Sequence, residues 1–270
     1  MVRIAVAGAA GRMGSRIVAL AQEVEGVALA GAFEKAGHPR AGSDAGEVAG
    51  VGPVGVSIEE SAENALQGAD VLVDFTHPEG TLLNVEAAVR TGKAVVTGTT
   101  GFSAEDLQKI ARAAQSVPCV RAANMSLGVN LLLKVLADIA RALGDDYDVE
   151  ILEAHHRMKK DAPSGTALMM AEAVARALGR DLAQDAVYAR KGIVGERTKK
   201  EIGIQALRGG DIVGEHTVLF AGQGERVEVT HRASSRDTFA RGALRAALWV
   251  AGKPAGLYDM QDVLGLKGKG

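Results

Sequence analysis

The chain has 270 residues, enough for one or two domains with a sizeable core, and its 47% hydrophobic and 24% charged content is that of an ordinary globular fold. The formal net charge of -2 excludes a global attraction to nucleic acid or to an acidic membrane, and 3% aromatic residues exclude a stacking platform for single-stranded bases. A single cysteine, Cys119 in the apolar run SVPCVRAA, excludes an internal disulfide and a thiolate metal cage. No apolar stretch is long and charge-free enough to span a bilayer, and the N-terminus enters a strand without a signal-peptide layout, so the cytoplasm is the expected compartment.

In chain order, residues 3–7 form a short apolar strand ending at Gly8, and residues 11–24 carry helical spacing at Met13, Ile17, Leu20 and Val24. Val27–Phe33 (VALAGAF) is a second predicted strand, a Gly- and Ala-rich loop runs to about residue 56, and residues 58–66 are expected to be a short helix. A strand at 69–75, a helix at 79–91 and a strand at Ala94–Thr97 follow. Ser103 caps a helix to residue 115 with Glu105 and Asp106 in its first turn, and 117–122 is again a strand. Strands alternating with helices of this length predict parallel βαβ units with right-handed crossovers.

The second half changes character. Leu127–Leu143 is a long predicted helix, and residues 147–154 (YDVEILEA) alternate as a half-buried strand does. The segment EAHHRMKKDAPSGT, from Glu153 to Thr166, then leads into a helix over 164–178 with Ser164 as its N-cap. After a polar stretch at 191–200, strand-like runs at 202–207, 215–220 and 226–231 are joined by Gly-rich turns, which predicts antiparallel pairing. Residues 236–250 form the last helix, ending at Gly252-Lys253-Pro254. The expected fold is α/β. It consists of a Rossmann-like doubly wound parallel sheet in a dinucleotide-binding domain, 1–126, and a second α+β domain with an open mixed or antiparallel sheet, 127–235. Residues 236–270 are expected to return to the first domain.

The Glu153–Thr166 segment places two histidines, an arginine and two lysines beside a helix N-terminus, whose N–H groups and dipole add to the positive potential. Such a place binds a small carboxylate or phosphate and carries groups that hand over protons; the blander reading is a solvated basic loop. Metal ligation by His155 and His156 is disfavoured. Neighbours in extended chain point to opposite faces, and Glu153 and Asp161 are the only nearby carboxylates, so no metal is expected.

The run Gly8-Ala9-Ala10-Gly11-Arg12-Met13-Gly14 follows a strand and opens a helix, the context a dinucleotide fingerprint needs, although Ala10 stands where the common form has its second glycine. Glu34 ends the second strand, where a carboxylate accepts the adenosine ribose hydroxyls. A carboxylate there repels a 2′-phosphate and the adjacent Lys35 attracts it, which suggests a site open to both NADH and NADPH. Strand ends at Phe75-Thr76-His77-Pro78, at Gly98-Thr99-Thr100 and at Ala122-Ala123-Asn124-Met125 share the edge where parallel sheets bind ligands. Taken singly they read equally as βα turns and N-caps.

GAAGRMG, DFTHPEGT, GTTGF, AANMSLGVN, EAHHRMKKDAPSGTA and the closing GLYDMQDVL resemble, in this order and over nearly the whole chain, the motifs of the dihydrodipicolinate (4-hydroxy-tetrahydrodipicolinate) reductase family of bacterial and plant lysine synthesis. The resemblance implies hydride transfer from NADH or NADPH to a cyclic dicarboxylated imine, with His155 as acid/base group and Lys159 as proton donor. It places His156, Gly165 and Thr166 on the substrate, and the Ser164 helix end offers N–H partners to the substrate carboxylates beside them. It places Gly8, Ala9, Ala10, Gly11, Arg12, Met13, Glu34, Lys35, Gly98, Thr99, Thr100, Ala122, Ala123, Asn124 and Met125 on the cofactor. A homotetramer assembled through the second domain's sheet is implied too. Two positions depart from the pattern: Met158 stands where some members have histidine, and Lys35 where others carry arginine, which weakens a bidentate grip on a 2′-phosphate. The competing readings are a semialdehyde dehydrogenase using Cys119 as nucleophile and a nucleotide sensor without catalysis. The sequence as a whole implies two half-sites facing each other across a cleft, one for the cofactor and one for a proton source.

Overall fold

The computed structural model describes residues 1–267. Its chain divides into two compact units, residues 1–127 joined by the segment from Asp237 onward, and residues 128–236. Of the segment 236–270, residues 268–270 lie outside the described residues.

In the first unit the strands β1 (Val2–Ala7), β2 (Val27–Phe33), β3 (Ile58–Glu59), β4 (Val71–Asp74), β5 (Ala94–Thr97) and β6 (Pro118–Arg121) alternate with helices α1 (Arg12–Ala21), α2 (Ala45–Ala49), α3 (Ala62–Leu66), α4 (Pro78–Thr91) and α5 (Ala104–Ala113). Parallel pairing gives the order β3-β2-β1-β4-β5-β6, the doubly wound arrangement predicted from the alternation. β4 and β5 are buried along their whole length because helices cover both faces of the sheet. One face buries Ile17, Leu20, Leu244 and Val250, and the other Leu66, Val85 and Ile110. A later helix of this unit, α9 (Asp237–Val250), lies flush on the chain that leaves β6: a Cβ at Gly242 would fall 1.7 Å from the Met125 carbonyl oxygen.

Two local expectations need correction. Residues 58–66 are not one helix. Ile58 and Glu59 pair with Ala32 and Phe33 at the sheet edge, and the Ser61 hydroxyl then accepts from the Asn64 amide to start α3. The preceding Gly-rich stretch contains α2, capped by Asp44, whose carboxylate accepts from the amides of Gly46, Glu47, Val54 and Gly55. At the opposite edge, the closing Gly256–Tyr258 adds a strand, β12, parallel to β6, and is followed by α10 (Met260–Val263).

The second unit holds α6 (Leu127–Leu143, entering from the first unit), β7 (Asp148–His155), α7 (Gly165–Leu178), α8 (Leu182–Asp185), β8 (Ala186–Val187), β9 (Ile202–Arg208), β10 (Gly214–Ala221) and β11 (Arg226–Ala233). Its sheet runs β11-β10-β7-β9-β8. The predicted antiparallel pairing holds for β10 with β11, but β9 and β10 do not pair with each other. β7 lies between them, antiparallel to β10 and parallel to β9, so the sheet is mixed. Strands flanking a third lie roughly 9–10 Å apart. The link 209–213 spans that gap as an arch over the end of β7, where Gly209 donates to the His155 carbonyl and His156 to that of Ile212. Period-two alternation turns Val149, Ile151, Glu153 and His155 toward α6 and α7, while Leu152 and Leu207 remain 39% and 58% exposed on the other face.

Candidate active site

The end of β7 gathers ionisable groups on the helix-covered face. The same alternation that buries Val149 and Ile151 carries Glu153 and His155 inward, β9 brings Arg208 opposite His155, and β10 brings His216 opposite Glu153. α7 arrives with its N-terminus at this point. The Ser164 hydroxyl accepts from the Ala167 amide at 3.1 Å, the capping bond its position predicts, and lies 3.0 Å from Nε2 of His216.

Glu153 is the centre of this cluster and has no exposed side-chain surface. Its Oε2 takes the Nδ1 side of His155 at 2.6 Å and Nη1 of Arg208 at 2.7 Å, while its Oε1 takes the Ser164 amide at 2.9 Å and Nη2 of Arg208 at 2.8 Å. Burial pushes the Glu153 carboxyl up. The Arg208 fork, the His155 ring and the Ser164 amide together overcome this and hold it below the usual carboxylate range. Burial pushes His155 below the ordinary histidine value, Glu153 opposes that shift, and the Lys159 and Arg208 cations reinforce it. His216, edge-on to His155 at 5.1 Å between ring centroids, is pushed down to about 4, chiefly by burial. It is therefore neutral at any physiological pH.

Lys159 is half-buried and pairs with Asp161 at 2.9 Å. His156 is partly exposed and Gly165 is exposed with open space around it, while Thr166 sits in the first turn of α7. The predicted substrate residues thus share the end of β7 and the start of α7. Glu153, Arg208 and His216 complete the cluster. The Glu-x-His period was readable on a strand, but the Arg208 and His216 contacts depend on a strand order that local sequence does not encode.

In the first unit the glycine loop forms a cradle. Gly8 adopts φ +61°, and a Cβ there would lie 2.8 Å from the Thr76 methyl, while a Cβ at Gly14 would fall 2.0 Å from the Gly8 carbonyl oxygen. α1 therefore stands tight against the end of β1, with Gly11 at its N-cap and no side chain capping it. The N-terminus of α1 is thus left without a side-chain cap, as an anion-binding helix end requires. Glu34 follows β2, and its Oε1 accepts from the Ala10 amide at 3.0 Å. A groove of 850 Å³ is lined by Gly8, Ala10, Gly11, Arg12 and Met13 on one side and Glu34 and Lys35 on the other, with Thr76 and His77 at its edge. These features fit a dinucleotide.

The other predicted cofactor positions differ among themselves. Ala9 is fully buried and donates its amide to the Phe33 carbonyl. Met125 is a core residue, Asn124 accepts from the Ser126 amide at 2.8 Å, and Ala122 donates to Thr97 while Ala123 is exposed. Gly98 is required by the Phe75 ring, which a Cβ would meet at 2.1 Å. Thr100 is exposed, but the Thr99 hydroxyl points inward, 2.8 Å from that of Thr81. Both belong to a cluster around the buried Asp74, whose Oδ1 accepts from the Thr76 amide and hydroxyl and from Thr81, and whose Oδ2 accepts from Asn84 at 2.7 Å. Asp74 thereby holds the turns after β4 and β5 together. Its sequence signal is a carboxylate closing the apolar run Val71-Leu72-Val73.

Cys119 lies buried within β6, and burial pushes its thiol up to about 12, so it carries no thiolate near neutrality. Cys119→Ser should keep kcat within about twofold while lowering the melting temperature, since a hydroxyl buried without a partner costs about 1–3 kcal/mol. A steady-state assay beside a thermal melt checks both, and loss of turnover without loss of fold would restore the thiol-nucleophile reading.

The family descriptions "Dihydrodipicolinate reductase, N-terminus" and "Dihydrodipicolinate reductase, C-terminus" match residues 2–125 and 128–264. The 4-hydroxy-tetrahydrodipicolinate reductase of Geotalea uraniireducens (strain Rf4) is 58% identical over 267 residues, covering 99% of this chain and all of the relative. That of Syntrophus aciditrophicus (strain SB) is 56% identical with the same coverage. Among solved structures, a dipicolinate-bound dihydrodipicolinate reductase from Paenisporosarcina sp. TG-14 shares the fold with a TM-score of 0.75 at 24% identity, over 97% of this chain and 98% of that one. With both halves of the sequence matched and full-length relatives at this identity, the chain belongs to the dihydrodipicolinate reductase family.

Proposed function

We propose that the protein is a 4-hydroxy-tetrahydrodipicolinate reductase, reducing a cyclic dicarboxylated imine to tetrahydrodipicolinate, with the 4-hydroxyl of the substrate leaving as water, in the synthesis of diaminopimelate and lysine. The observation that carries this reading is His155 held 2.6 Å from a buried carboxylate beside a Ser164-capped helix N-terminus, in a chain with full-length relatives of that name. The first unit is the dinucleotide-binding domain and the second the substrate-binding domain.

A bound reduced nicotinamide supplies the hydride. This chain's residues hold the reactants and manage the proton. Gly8–Met13 and the α1 N-terminus take the pyrophosphate, and Glu34 takes the adenosine ribose. The start of α7 at Gly165 and Thr166, the Ser164 hydroxyl and His156 take the substrate carboxylates. Lys159 places an ammonium beside the ring nitrogen, favouring electron flow into the ring as hydride arrives. His155, protonated, gives the proton that a ring carbon needs, as a histidine near neutrality is suited to do.

Both NADH and NADPH are accepted in this reading, because Glu34 and Lys35 pull in opposite directions on a 2′-phosphate. Glu34→Ala is expected to weaken NADH about tenfold, the worth of one hydrogen bond to a charged group, and NADPH less, since a repulsion is removed at the same time. Fluorescence titration of both cofactors measures this; equal losses would contradict the assignment. We place the enzyme in the cytoplasm, and among the described residues no helix is long and apolar enough to cross a membrane. It assembles as a homotetramer through the second sheet, whose outer face exposes Leu152 and Leu207.

The test is steady-state oxidation of NADH and NADPH with the freshly made condensation product of pyruvate and aspartate semialdehyde. The expected result is substrate-dependent loss of reduced-nicotinamide absorbance. A protein that binds the cofactor and leaves its absorbance unchanged would be a sensor.

A further inference from the structure

We propose that Glu153 is the positioning residue of the proton donor: its carboxylate fixes His155 with a proton on Nδ1, so that Nε2 is the nitrogen that exchanges protons with substrate, and ties that ring to the amide that opens α7. This rests on the reading of His155 as the acid.

An ionised carboxylate only accepts hydrogen bonds. Arg208 keeps Glu153 ionised by a two-pronged contact at 2.7 and 2.8 Å, so the 2.6 Å contact to Nδ1 requires that nitrogen to donate. The neutral ring then carries its lone pair on Nε2, and the imidazolium carries its transferable proton there. The space beside Nε2 is kept free of a side chain. A Cβ at residue 214 would stand 3.0 Å from it, and the residue there is glycine.

A structural ion pair between β7 and β9 would need only Glu153 and Arg208. Here each oxygen also takes a second partner, Oε2 the ring and Oε1 the Ser164 amide at 2.9 Å. One side chain thus couples the acid to the segment that receives the substrate carboxylates, and a shift of either is felt by the other. The charged and titratable groups facing the ring are Glu153 on its own strand, Lys159 on the following loop, Arg208 on β9 and His216 on β10. Glu153 favours the imidazolium, while Lys159 and Arg208 oppose it. After protonating the substrate carbon, His155 is left neutral with Nδ1–H on Glu153, and solvent restores the Nε2 proton.

Glu153→Gln preserves shape and removes the charge and the obligatory acceptor. It is expected to lower kcat roughly 10²-fold or more, within the range of a positioned proton-transfer group, with NADH affinity unchanged. The pH at which activity is lost should move to lower values, because the imidazolium loses its counter-charge. In the His155→Gln background the same substitution should cost nothing further, since it acts through the ring. Two-bond proton–nitrogen spectra of the wild type, assigned against His155→Gln, should show His155 as the Nδ1–H tautomer, and this needs no Glu153 variant to fold. An Nε2–H tautomer in the wild type, or equal losses from Glu153→Gln with and without His155, would overturn the proposal. A fully active Glu153→Gln beside an inactive His155→Gln would overturn the positioning role alone. A fully active His155→Gln would remove the acid on which it rests.

Discussion

His155→Gln is expected to lower kcat by about 10²–10⁴-fold, the typical worth of a positioned acid–base group, while NADH affinity changes by less than about twofold. Glutamine fills much of the imidazole volume and its amide still reaches the Glu153 carboxylate, so the β7 end keeps its packing. It has no proton to give near neutrality. The cofactor groove is lined from the first unit alone, whereas His155 belongs to the second, which is why binding and turnover should separate. The pH profile carries a signature of its own. In the proposed mechanism the acid is the protonated ring, and burial lowers its pKa in the free enzyme, so kcat/KM should fall as pH rises through a midpoint below about 6.5. A bound dicarboxylate brings negative charge toward the ring and favours the imidazolium, so the corresponding limb of kcat should lie at higher pH. Both limbs should vanish in His155→Gln; retention of either would assign the titration to another group.

Gly14→Ala is expected to abolish tight cofactor binding and to lower stability by about 1–3 kcal/mol or more, the usual effect of overpacking. The added methyl would lie 2.0 Å from the Gly8 carbonyl oxygen and 2.8 Å from the Ala9 Cα, both backbone atoms without a rotamer to yield. α1 must then move away from β1, carrying with it the Gly11 N-cap and the amides that face the groove. Calorimetric titration with NADH, beside a thermal melt, reads both effects. A variant that binds NADH like the wild type would show that helix–strand contact does not set the cradle.

The alternation of strands and helices in the first unit was legible because both faces of its sheet are covered. Near-continuous apolar runs such as VLVD and AVVT then stand out between amphipathic helices. Caps were legible for the same local reason: Ser103 with Asp106 and Ser164 with the Ala167 amide act within one turn. Edge pieces were not. Ile58–Glu59 and Gly256–Tyr258 are too short to show a period, and only their distant partners make them strands. The placement of β7 between β9 and β10 was likewise hidden, since a short Gly-rich link reads as a hairpin whether or not a third strand passes beneath it. The site shared this division. His155, Lys159 and Ser164 lie on one continuous segment, whereas the Arg208 and His216 contacts follow from strand order and the Asp74 cluster from the meeting of two βα turns.

The most direct measurement is the fate of the cofactor's hydrogen. Reduced nicotinamide deuterated at the transferring position is incubated with the enzyme and the pyruvate–aspartate semialdehyde condensation product in ordinary water, and the product is analysed by mass spectrometry. The expected tetrahydrodipicolinate carries the cofactor's deuterium at a ring carbon, in amounts equal to the nicotinamide oxidised. Unlabelled product, or no product while the labelled cofactor stays bound and reduced, would contradict hydride transfer as the work of this chain.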